Sequence, residues 1–144
     1  MRRFATYVLT LAIVGSAAVL AQKATTPADL DKAMKKVAPA QGAVNKAIQA
    51  MAYADAKAQL AIEKQALLDA ENFWVVNKKD DAVKLSKDAL AKIDALDKAL
   101  SAPAPDNAAV TAAFKEVGGT CAACHKMYRV QDENQQYILK PGTV

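Results

Sequence analysis

The 144-residue chain has one histidine, one tryptophan, two cysteines and only five glycines and five prolines. So little glycine and proline excludes a loop-rich all-β protein and anything collagen-like. Asp and Glu are scattered, with no paired cluster for general acid–base chemistry. No Ser-His-Asp arrangement, phosphate loop or Walker-like segment occurs. Charge of one sign is scarce too: a net +4 makes no case for nucleic-acid binding. The chain is rich instead in alanine, with 33 residues, the best helix former and a poor strand former. Hydrophobic residues make up 53% and charged ones 24%, enough to build a core. Composition therefore predicts an all-α protein whose helices approach closely through small side chains.

The N-terminus reads as a leader. Met1-Arg2-Arg3 is a basic n-region, residues 4–20 carry no charge, and Val19-Leu20-Ala21 offers a small-residue cleavage site before Gln22. That is the layout of a secretory signal peptide. An uncleaved anchor helix is the competing reading, because the run nearly reaches spanning length. Without Arg2 and Arg3 the net charge falls to +2. The expectation is a signal peptide over 1–21, a single mature domain over 22–144, and export to a periplasm of bacterial type.

Four amphipathic stretches follow. The first has Thr26 as N-cap, Pro27 at the first helical position and Asp29 in the first turn. Its apolar stripe runs Leu30, Met34, Val37, Val44, Ile48, Met51, interrupted by the polar Gln41. Pro39 and Gly42 inside it predict a kink or short break. The second stretch spans about 53–76, with Tyr53, Ala56, Leu60, Leu67, Ala70 and Trp74 in heptad register. The third covers about 80–101 with Val83, Leu90, Ile93, Leu96 and Leu100 inward, and Lys84–Asp88 and Asp94–Lys98 as solvated i,i+4 pairs. The fourth starts near Pro105-Asp106 and carries Val110, Phe114, Val117, Cys121, Cys124 and Tyr128 on one face. After Arg129 the tail reads as polar and unstructured. Long helices joined by short connections predict an antiparallel up-down four-helix bundle.

One motif carries chemistry. Cys121-Ala122-Ala123-Cys124-His125 is C-x-x-C-H and uses both cysteines and the sole histidine; this pattern reads as a c-type haem attachment site. On a helix, residues i, i+3 and i+4 share a face. Two thiols can then add to the haem vinyl groups while the imidazole meets the iron. A structural zinc site wants four ligands, and this chain offers three. A redox C-x-x-C sits at a helix N-terminus, whereas this pair lies late in its helix. A plain cystine would close a tiny loop and stabilise little.

A C-x-x-C-H near the C-terminus, on the last of four helices, resembles the class II c-type cytochromes, the cytochrome c′ family. The resemblance rests on residues 117–129: Gly118-Gly119 as a glycine-containing turn before Cys121, and Tyr128-Arg129 soon after His125. It implies one covalent haem c on Cys121 and Cys124, with His125 as proximal iron ligand and the haem near one end of the bundle, between the last helix and the first. Low-spin members of that family supply a methionine from the first helix; five-coordinate members leave a site that admits small gases. Met34 is the candidate distal ligand, since an antiparallel last helix brings His125 opposite the start of the first. Met51, 17 residues on, is roughly 25 Å away along a helix. As an alternative, Met34 fills core, as a methionine on an apolar stripe can. Family members often carry Arg where this chain has Leu30, leaving Lys35, Lys36 or Arg129 to meet a propionate, against a plain solvated reading of those lysines.

The expected function is single-electron carriage between redox partner proteins, with no enzymatic activity. The alternative is a five-coordinate haem that binds NO or CO, and a third class is a haem-free interaction bundle. The resemblance also implies a homodimer through the first two helices.

Overall fold

The computed structural model describes residues 24–144; the leader reading over 1–21 lies outside them. Four helices follow in order: α1 (Pro27–Gln49), α2 (Tyr53–Val76), α3 (Asp80–Leu100) and α4 (Asn107–Tyr128). Each start has a local cause. Thr26 and Asp29 form a reciprocal capping box at α1, and Pro27 occupies the first turn. The Asp106 carboxylate accepts the Ala108 N–H at 3.1 Å to open α4. The turns at 50–52 and 77–79 use left-handed backbone at Met51 (φ 54°) and Lys78 (φ 56°). Connections this short force neighbouring helices antiparallel.

α1 lies along α2, α2 along α3 and α3 along α4, while α1 meets α4 only sparsely. The main core joins all four helices through Val44, Leu60, Ile93, Leu96, Val110 and Val117. A second cluster, of Leu30, Ala70, Phe73, Trp74 and Ala82, closes the end where α1 and α3 start and α2 finishes. Met34 packs partly buried against both, and Tyr128 joins the second.

Several sequence expectations need correction. α1 runs through Pro39 without a break. The missing N–H deprives the Lys35 carbonyl of its partner, and both residues are exposed, so water can serve that carbonyl. Met51 is not on the inner stripe: it sits in the α1–α2 turn and is 64% exposed. Gly118 and Gly119 form no turn but lie within α4. Asp94 bridges to Lys64 of α2 at 2.6 Å rather than to Lys98, and Asp97 reaches Lys57 at 3.9 Å. These helix-to-helix pairs are exposed and worth little each.

The tail is also structured. β1 (Arg129–Gln131) pairs antiparallel with β2 (Tyr137–Leu139), Val130 opposite Ile138. The Asp132 carboxylate accepts N–H groups of Asn134 and Gln136 and so shapes the loop. Arg129 stacks over the Tyr137 ring at 3.9 Å. The Lys140 ammonium donates to the Lys126 carbonyl at 2.9 Å, satisfying one of the last acceptors of α4.

Candidate functional site

Cys121, Cys124 and His125 occupy the last two turns of α4, all half-buried. Both cysteines are free thiols. Burial pushes the Cys124 thiol up to about 11, with Cys121 and Asp81 adding to the shift. The Cys121 thiol is raised as well, by burial first and by the Glu63 carboxyl next. Burial, helped by the Arg129 guanidinium, pulls His125 below its ordinary value. Its imidazole therefore stays neutral and keeps a lone pair for a metal.

Around this face the bundle supplies a rigid end. The Tyr128 hydroxyl donates to Asp81 of α3, and burial followed by that bond raises its pKa to about 12. Tyr128 packs on Trp74 with ring centroids 4.9 Å apart, and Trp74 meets Phe73 edge-on at 4.8 Å. Phe73 and Trp74 are thus core residues of the α2 end. Met34 comes to the same end of the bundle from α1, through the cluster it shares with Tyr128. Of the residues considered for propionate pairing, Lys35 is tied to Asp31 at 2.6 Å on the solvent side, Lys36 is exposed, and Arg129 is stacked on Tyr137.

Two residues of this region have no place among the sequence candidates. The Gln41 amide of α1 reaches across the α1–α4 seam to the Cys121 sulfur at 4.0 Å. Glu63 of α2 is completely buried, and neither carboxylate oxygen has a hydrogen-bond partner. Its carboxyl is pushed up to about 7 by burial alone. The signal for both was positional: Gln41 interrupts an apolar stripe, and Glu63 falls three residues after Leu60 and four before Leu67, on their face.

The residues present fit a haem. Two thiols and a neutral imidazole share one face at the end of α4, and Cys121 meets Gln41 of α1 across the sparse α1–α4 seam. An orphaned buried carboxyl beside Cys121 marks a polar lining that the packed core lacks. The family model described as Cytochrome C′ matches residues 69–129, which take in the end of α2, all of α3 and the whole C-x-x-C-H helix. That match supports a class II c-type cytochrome, the cytochrome c′ family, and with it a haem c protein. No curated protein and no solved structure matches the chain. Met34, Gln41 and Glu63 all lie outside the matched residues.

Proposed function

We propose that this is an exported, periplasmic monohaem cytochrome that passes single electrons between redox partner proteins. Cys121 and Cys124 would hold the porphyrin through thioether bonds, and His125 and Met34 would be the iron ligands the chain supplies. When bound, the haem supplies the one-electron couple. The chain's own residues do the rest. The two cysteines, one helical turn apart, fix the ring to α4, and the Tyr128–Asp81 bond and Trp74 hold that helix end still. The neutral His125 offers its lone pair, and the partly buried Met34 offers a thioether from the facing helix.

The observation that carries this reading is the meeting of the α1 start and the α4 end around Trp74, which brings Met34 and the C-x-x-C-H segment to one end of the bundle. No helix among the described residues is long and apolar enough to cross a membrane, in keeping with a diffusing carrier. The test is Met34→Ala. Wild-type protein should be six-coordinate and low-spin, and the variant should turn high-spin, bind CO rapidly and show a lower potential, because a thioether favours ferrous iron. A wild-type protein already high-spin, with a spectrum unchanged by Met34→Ala, makes Met34 core filling and the protein a binder of NO or CO.

A further inference from the structure

Among the described residues, Glu63 is the one ionisable side chain that is fully buried without a charged partner. A carboxylate so placed costs several kcal/mol to keep charged unless something compensates it. A chain needing only bulk there would carry an apolar residue like Leu60 or Leu67 on either side. The groups around it narrow the choice. From α4 comes Cys121, whose thiol feels the Glu63 charge; its buried chain neighbour Thr120 carries no charge and commits its hydroxyl to the Val117 carbonyl at 2.7 Å. From α1 comes the neutral Gln41, which shares Cys121 as a neighbour. The buried face of α3 presents Ser86, Ala89, Leu90, Ile93 and Leu96, none charged. On α2 itself, Lys64 turns away to Asp94. Among the described residues, therefore, no cation holds Glu63 ionised.

The charge that changes beside Cys121 is that of the haem. We propose that Glu63 is the proton-exchanging group of this site, protonated when the iron is ferrous and ionised when it is ferric. This rests on the haem reading above. As a one-electron donor protein is oxidised and the iron reduced, Glu63 takes one proton from water onto a carboxylate oxygen. On reoxidation the electron leaves to an acceptor protein and the proton returns to water. The cytochrome thus carries a hydrogen equivalent over part of the pH range rather than a bare electron. Burial sets that range near neutrality, since it moves the carboxyl up to about 7.

The test is the midpoint potential of the holoprotein against pH, for wild type and Glu63→Gln. Wild type should show a potential that falls as pH rises through neutrality. A tenfold difference in proton affinity between the two oxidation states appears as a fall of about 59 mV for one electron. In Glu63→Gln that fall should vanish, leaving only slopes common to both proteins, such as those from the propionates. The reduced-minus-oxidised infrared spectrum is a second readout, in which a carboxylic-acid carbonyl band should rise on reduction in wild type and not in the variant. If Glu63→Gln yields no holoprotein, wild type labelled with carbon-13 glutamate must show the same band shifted. Curves that superpose, or a band insensitive to the label, overturn the proposal while leaving the haem reading intact. A colourless wild-type preparation overturns both.

Discussion

The α2–α3 seam and the α1–α4 seam are built from helices of similar length and composition, yet they are filled differently. Between α2 and α3 the side chains are apolar and closely packed: Leu60, Leu67, Ile93 and Leu96 are all buried, and exposed Lys–Asp pairs run along the outside. Between α1 and α4 contact is sparse, and what meets there is polar: the Gln41 amide reaches the Cys121 sulfur, one turn before Cys124 and His125, and that thiol feels the charge of the unpartnered Glu63 of α2. Packing density decides which seam contributes most to the stability of the fold. A bundle that closed all its seams with leucine would be more stable and could hold nothing.

Leu60 and Glu63, one turn apart on the inner face of α2, put that contrast to a direct test. Leu60→Ala in the packed seam should cost about 2–5 kcal/mol, read by denaturant unfolding of the holoprotein, because it leaves a cavity among rigid neighbours. Glu63→Gln should do the opposite, and only at higher pH. The carboxyl sits near 4.5 when unfolded and is raised to about 7 when folded, so the folded state binds the extra proton in between. Its contribution is complete below about 4.5, is lost as pH rises to about 7, and is level above that. The variant should therefore match wild type near pH 4 and exceed it near pH 8 by on the order of 3 kcal/mol. A slope of stability on pH that survives in Glu63→Gln assigns it elsewhere. Met51, in the α1–α2 turn and outside both seams, sets the baseline: Met51→Ala should change stability by no more than about 0.5 kcal/mol.

The elements that follow from local rules were legible in the sequence. Thr26, Pro27 and Asp29 announce α1, Asp106 announces α4, and the spacing of apolar residues gives all four helices. The C-x-x-C-H segment is equally plain as a pattern, since it is five consecutive residues, and the structure places its two thiols and imidazole half-buried at the end of α4. What escaped depends on tertiary placement. Glu63 drew no notice among the scattered acidic residues, because charged residues are almost never buried without a partner, and only its register with Leu60 and Leu67 sets it apart. Pro39 looked like a break, but its exposed side tolerates a lost backbone bond. Each strand of the terminal hairpin has three residues, too short for alternation to register, and the Asp132 turn that shapes it becomes meaningful only once the strands are paired.

The central claim is that the α1–α4 seam holds a haem covalently through Cys121 and Cys124, and extraction of the purified holoprotein with acidified organic solvent tests it most directly. Thioether bonds survive such treatment, so the colour should stay with the wild-type polypeptide, on a peptide containing residues 121–125. In Cys121→Ala/Cys124→Ala the haem should be extracted or absent. A wild-type protein that gives up its haem to the solvent would contradict the account.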